Sequence, residues 1–194
     1  AVFTWPYRDW RRAWSLLPAP AEITIEEGPL SQGDRDPEPF TTYLAFLATT
    51  PDPAAPPLAR FSGGVELLDV EVAAGNGEGL RVRLRWRANA PLTEEYTVFL
   101  HYLRDGERLA QADSQPASGH YPTTIWRPGD VVNDDHQIRE IDAPTPGRDV
   151  LLFGFWQPES GDKLYLLDEA GNPAADWIEV PVDPFVAAQE WWGP

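Results

Sequence analysis

The chain of 194 residues carries 31 Asp and Glu against 15 Lys and Arg, a formal charge of −16 at neutral pH. That balance argues against nucleic-acid partners, because a phosphate backbone is repelled. The absence of Cys excludes disulfides and thiolate metal sites, and the 21 Pro and 15 Gly point to many turns between strands, not to a helical bundle.

Residues 1–17 are basic and Trp-rich within this acidic protein. Trp10, Trp14 and Leu17 fall on one face of a short helix that Pro18 ends. Trp5, Trp10 and Trp14 with Arg8, Arg11 and Arg12 suit a membrane interface. The competing expectation is that this segment docks on its own acidic domain, since short helices are seldom stable alone. Ile23 and Ile25 mark a short strand, and residues 40–47 mark another. Thr50 to Pro57 holds four prolines and reads as a stiff connector. We therefore expect residues 1–57 to form an N-terminal arm and connector able to add a strand, and the compact domain to begin at Leu58.

Residues 65–74 and 80–88 flank Gly75-Asn-Gly-Glu-Gly79, a hairpin signal. Leu80, Val82, Leu84 and Trp86 alternate with Arg81, Arg83, Arg85 and Arg87. One register sets Val72 against Val82, Val70 against Leu84 and Leu68 against Trp86. It also sets Glu71 against Arg83 and Asp69 against Arg85, so both faces are satisfied. The Arg row then reads as a neutralised sheet face, in preference to an anion site. Residues 95–104 alternate Tyr96, Val98, Leu100 and Tyr102 with Phe99, His101 and Leu103, as in a central strand covered on both faces. Asp105-Gly106 turns it into residues 107–113.

Residues 121–138 read as strand, tight turn, strand. Pro128 and Gly129 suit the two central positions of a type II turn. Trp126 precedes the turn and Asn133 to Asp135 follow it. Residues 150–157 form a buried strand. Two turn-linked strands end near Val182, and residues 183–194 form a tail bearing Phe185, Trp191 and Trp192. The pattern predicts an all-β fold: a β-sandwich of antiparallel sheets, jelly-roll or immunoglobulin-like, over residues 58–182.

No nucleophile elbow, phosphate loop or dinucleotide fingerprint occurs. His120 and His136 lie on either side of the proposed turn, which disfavours zinc. Asp113, Asp134 and Asp135 are acids a glycosidase would need in pairs, but acidic pairs are common in this composition. Calcium is the cofactor kept as a candidate, with Asp113, Asp130, Asn133, Asp134 and Asp135 as donors. The competing view is that these acids cap turns and face water. For a sugar ligand the candidates are Tyr121, Trp126, Trp156 and His136, where a flat ring packs on a sugar face. Trp126 as a core residue pinning the turn is the alternative. Trp5, Trp10, Trp14, Trp191 and Trp192 are candidate interface residues.

In order along the chain stand Phe61-Ser-Gly-Gly-Val-Glu-Leu-Leu-Asp-Val70, Leu84-Arg-Trp86, Tyr96-Thr-Val-Phe-Leu-His101 and Gln111-Ala-Asp-Ser-Gln-Pro116. Tyr121-Pro-Thr-Thr-Ile-Trp126, Pro128-Gly-Asp-Val-Val132 and Leu152-Phe-Gly-Phe-Trp156 follow. This series resembles an extracytoplasmic β-sandwich domain at the C-terminus of bacterial multi-pass membrane glycosyltransferases of the protein-mannosyltransferase-like kind, over about residues 60–180. The resemblance implies a non-catalytic accessory module outside the cytoplasmic membrane, with the reaction residing in a membrane part. The chain contains no Met, so it is expected to begin after processing or to belong to something longer. No run approaches the roughly 20 apolar residues that span a bilayer, so any membrane segment is expected upstream of Ala1. The expected role is binding, of a glycan or of a protein partner, with residues 1–17 near a membrane. The rival is a structural subunit of a surface layer, filament or membrane complex.

Overall fold

The computed structural model describes residues 2–4, 14–29, 42–74, 79–145 and 147–182. Trp5, Trp10, Phe185, Trp191 and Trp192 lie outside them. Among the described residues fourteen strands are present: β1 (Val2–Thr4), β2 (Glu22–Pro29), β3 (Thr42–Thr49), β4 (Ala59–Phe61), β5 (Val65–Ala74), β6 (Gly79–Ala88), β7 (Thr97–Arg104), β8 (Glu107–Gln111), β9 (Val131–Arg139), β10 (Asp149–Trp156), β11 (Lys163–Leu164), β12 (Leu166–Leu167), β13 (Pro173–Ala175) and β14 (Ile178–Pro181). They form two sheets, with the orders β1-β3-β2-β9-β6-β5-β4-β12-β13 and β11-β10-β7-β8, and β14 also pairs with β10. The fold is an all-β sandwich.

The β5–β6 hairpin shows how the sequence builds the larger sheet. Val72 faces Val82, Val70 faces Leu84, Glu71 faces Arg83 and Asp69 faces Arg85, as the alternation predicts. Trp86, however, faces Leu67 and not Leu68, because the register shifts between Leu67 and Asp69. The extra residue is a β-bulge, and it inverts the alternation behind it. Glu66 thereby joins Asp69 and Glu71 opposite the Arg row. The doublet Leu67-Leu68, which interrupts the alternation, is the mark of this bulge in the sequence. The Arg row is neutralised from three strands: Arg87 by Glu66 of β5 at 2.6 Å, Arg83 by Asp135 of β9 at 2.8 Å and Arg85 by Glu22 of β2 at 2.9 Å.

The N-terminal strands belong to this sheet. β2 pairs antiparallel with β3 and parallel with β9, with Glu22 opposite Val131 and Ile23 opposite Val132. The segment expected to be an arm thus contributes three strands beside β9. Residues 14–16 make a single 3-10 turn, closed by Leu17 N donating to Trp14 O.

The layers meet through aromatic rings. Trp86 of β6 packs on Phe155 of β10 with centroids 4.6 Å apart and on Phe153 at 6.2 Å. Trp86, Phe153 and Phe155 are fully buried within one core that draws on both sheets. The chain crosses between the layers at Tyr165, since Leu164 pairs with Phe155 in the smaller sheet and Leu166 with Phe61 in the larger. Among the described residues no buried side-chain nitrogen or oxygen lacks a hydrogen bond. β7 sits between β10 and β8, as expected, and Asp105-Gly106 forms the turn after it, both with positive φ (52° and 81°).

Residues 121–126 depart from the expected strand. Thr123–Ile125 is a 3-10 turn. The Thr123 hydroxyl donates to Glu94 O at 2.7 Å and accepts from Tyr96 N at 2.9 Å, so this hydroxyl ties the segment to the entrance of β7 instead of to a sheet ladder. The turn after it is as expected: Asp130 N donates to Arg127 O at 2.9 Å, and Gly129 has φ 87°, the sign a type II turn requires at that position.

Candidate functional site

Of the four residues considered for sugar contact, three are buried. Trp126 is 2% exposed and Tyr121 1%. The Trp126 ring meets Phe155 edge-on at 6.4 Å, and its Nε1 donates to Tyr121 O at 2.9 Å. Trp126 is therefore a core residue. The Tyr121 hydroxyl donates to Asp130, whose side chain is fully buried. Asp130 also accepts from Ala21 N at 2.9 Å and from Arg127 Nε at 2.9 Å. Arg127 in turn donates to Leu17 O and Pro18 O. Burial, then the Asp130 charge, raises the Tyr121 phenol well above its ordinary value. Trp14 completes this knot, with its ring 6.0 Å from Tyr121 and its Nε1 donating to His120 O. The docking expectation thus holds for Trp14.

His136 is the third. On β9 the residues Asp134 and His136 face inward, so both lie between the sheets. The Asp134 carboxylate accepts from His136 Nε2 at 2.8 Å, from Trp86 Nε1 at 3.3 Å and from Ala117 N at 2.8 Å. His136 Nδ1 lies 3.0 Å from Ala112 O and 3.4 Å from Ser114 Oγ. Burial opposes charge on the imidazole, but the Asp134 carboxylate and the Ala112 carbonyl override it and raise its pKa. The pair fastens residues 112–117 over the end of the sandwich. Ala117 and Ser118 are held there at φ 52° and 54°.

The five residues considered for calcium do not converge. Strand alternation sends Asn133 and Asp135 to one face of β9 and Asp134 to the other. Asn133 donates to Thr24 Oγ1, Asp135 is paired with Arg83, and Asp130 lies in the Arg127 knot. Asp113 accepts from Leu100 N at 3.1 Å, on the other sheet. No group of three or more His, Cys, Asp or Glu side chains among the described residues is placed to share a metal ion.

Trp156 is different. On β10, Leu151, Phe153 and Phe155 are fully buried, so Leu152, Gly154 and Trp156 point outward, and Trp156 is half-buried. Cross-strand partners share a face. Register therefore adds Thr97, Phe99 and His101 from β7, Gln111 from β8, Lys163 from β11 and Glu179 from β14 to the same outer surface. Trp177, 40% exposed, joins them through Nε1, which donates to Glu179 Oε1 at 3.2 Å.

Gly154 is buried beneath this surface. A Cβ there would stand 2.8 Å from both Phe99 Cζ and Asp176 O, so the Phe99 ring lies over a residue with no side chain. Phe99 and His101 are ring neighbours at 5.5 Å, and His101 Nε2 is 3.5 Å from Asp113 Oδ1. Lys163 Nζ contacts Asp176 Oδ2 at 2.5 Å. The result is an outer surface with Trp156 and Trp177 as its accessible rings, beside carboxylates, an amide and an imidazole, with Phe99 buried among them. Sequence reasoning named only Trp156 here. The period-2 pattern of β7 did hold Phe99 and His101 on its second side, but nothing local placed Trp177 and Glu179 beside them.

A cleft of about 480 Å³ also opens at the rim, lined by Pro20, Pro51, Asp52, Glu66, Arg87 and Asn89. Its Arg87 is taken up by Glu66 and by the carbonyls of Pro53 and Ala55, so this cation braces the connector. In comparisons with known proteins, no family model, no curated protein and no solved structure matches the chain.

Proposed function

We propose that the chain is a non-catalytic binding module that takes a glycan on the outer face of the smaller sheet. The observation that carries this reading is the outer face of the smaller sheet, where Trp156 and Trp177 are partly exposed rings and Glu179, Gln111 and His101 are polar neighbours. Sugar rings pack their C–H faces on aromatic faces, and planar polar groups around them receive the hydroxyls. The context we propose is extracytoplasmic, as an accessory domain of a membrane glycosyltransferase, following the motif resemblance. No catalytic role is assigned to any residue.

Trp156→Ala and Trp177→Ala test the reading separately. Each is expected to weaken retention on a glycan array or in affinity electrophoresis by about three- to ten-fold, with the near-ultraviolet circular dichroism of the fold kept. Unchanged retention in both folded variants sinks it. One observation favours a second reading, that this face binds protein in a larger assembly: Leu103, Val150 and Leu152 extend the same surface and are only half-buried. That reading predicts concentration-dependent self-association or subunit capture, lost in Leu152→Glu.

A further inference from the structure

We infer that residues 183–194 fold back across the outer face of the smaller sheet and cover its apolar half. The inference stands on the sheet and the sequence alone and does not depend on the glycan reading.

The apolar half lies at the end of the sheet away from Trp156. Val150 and Leu152 of β10 and Leu103 of β7 point outward there and are only half-buried. Pro181 of β14, opposite Val150, is exposed, and Leu109 of β8 is 47% exposed. Contiguous apolar surface of this kind marks a contact. The chain itself leaves the sheet beside it. β14 runs antiparallel to β10 and ends at Pro181. Val182 N then donates to Asp149 O, and its side chain is buried. The next residues, Asp183 and Pro184, suit the first two positions of a reverse turn, which would send the chain back along β10. Phe185, Val186, Trp191 and Trp192 follow, and such side chains gain by leaving water. The twelve residues after Val182 reach about 40 Å when extended, against about 23 Å from Asp149 to Trp156 along β10.

The other segments outside the described strands start elsewhere. Residues 30–41 and 75–78 join adjacent strands of the larger sheet, and residues 5–13 run from β1 of that sheet to Trp14 beside Tyr121. Charge agrees with the assignment. Arg108, exposed opposite Leu103, gives the apolar half a cation, and Asp183 and Glu190 give the segment carboxylates to meet it. A tethered segment also meets the face at an effective concentration on the order of millimolar, which favours it over a second copy.

The test uses the full chain. It holds no Cys, so Ala188→Cys supplies a single thiol for a nitroxide label, and methyl resonances are recorded with the label oxidised and reduced. Those of Leu103, Val150 and Leu152 are expected to lose most of their intensity, with Ile25 of the larger sheet unchanged. Phe185→Ser, Trp191→Ser and Trp192→Ser together in the labelled chain are expected to restore the intensity while the rest of the spectrum keeps its dispersion. Mixing nitroxide-bearing protein with isotope-enriched, label-free protein separates the occupants. Equal broadening of the face in that mixture would place a second copy there and overturn the inference. Broadening confined to β14 would mean that the segment lengthens the sheet edge, and this overturns it too, as does an unchanged face. None of these outcomes touches the glycan reading, which is tested at Trp156 and Trp177.

Discussion

At the scale of single residues, His136 carries the clearest consequence. Its Nδ1 faces a carbonyl at 3.0 Å and its Nε2 a carboxylate at 2.8 Å. Both partners are acceptors, so the ring satisfies both only as an imidazolium. Its folded pKa is raised above the ordinary 6.5. A raised pKa means that the stability it contributes is fully present below about 6.5 and is lost as pH climbs through the folded value. The urea midpoint of the wild type is therefore expected to fall as pH rises above the ordinary imidazole value. His136→Gln should lower the midpoint at pH 6 and flatten that limb; parallel curves for the two proteins would show that the pair contributes nothing. Trp126 carries a different expectation. Because its ring is core, Trp126→Ala should cost about 3–5 kcal/mol of stability, read by denaturant unfolding, with no separate effect on ligand.

Among elements, β10 is the most constrained, because its two faces do different things. Leu151, Phe153 and Phe155 fill the core, while Gly154 on the outer face makes room for the Phe99 ring and the Asp176 carbonyl. Gly154→Ala should force one of those groups aside and cost about 1–3 kcal/mol, seen as a lower melting temperature. The hairpin β5–β6 was almost wholly legible in the sequence, since two-residue periodicity states both face and register. Its bulge shows in the sequence only as the Leu67-Leu68 doublet, which a strict two-residue period passes over. The stretch at 121–126 misled for a related reason. Pro122 and the Thr pair suit a strand, and the Thr123 hydroxyl that curls the segment finds its partners nearly thirty residues earlier. The aromatic face was hidden on the same ground: Trp177 and Trp156 come from strands whose adjacency only the assembled sheet defines. Trp126, central to the sequence pattern, sits inside the core that the pattern helps to build.

For the molecule as a whole, the smaller sheet is closed at one end by Asp149, which is 1% exposed. Arg104 Nε donates to it at 2.7 Å, the Tyr102 hydroxyl at 2.5 Å and Thr145 N at 2.6 Å. Arg104 above all, with Tyr102 and Thr145 and against burial, holds this carboxyl down at about 2. Its contribution is present above the ordinary carboxylate range near 3.8 and disappears as pH falls through about 2. Acid unfolding of the wild type should steepen there, and Asp149→Asn should be less stable at neutral pH with a shallower acid limb. The N-terminal strands are equally integral. Removal of residues 1–57 would strip β2 from β9, leave the buried Asp130 without its Ala21 donor and leave Arg127 without the Leu17 and Pro18 carbonyls. The truncated chain is expected to show no cooperative unfolding transition.

The parallel seam between β2 and β9 also bears on synthesis. Its partners, Glu22 with Val131 and Ile23 with Val132, are separated by more than half the chain. As the polypeptide leaves the ribosome, the β2–β3 ribbon emerges early, yet its second edge has no mate until β9 follows. Local hairpins close quickly, while such distant pairings are slow and leave strand edges open to the wrong neighbour. The ribosome therefore adds about 80 residues between Thr49 and Val131 while that edge of the ribbon is unprotected, and a pause after β9 is cleared would protect yield more than one placed earlier.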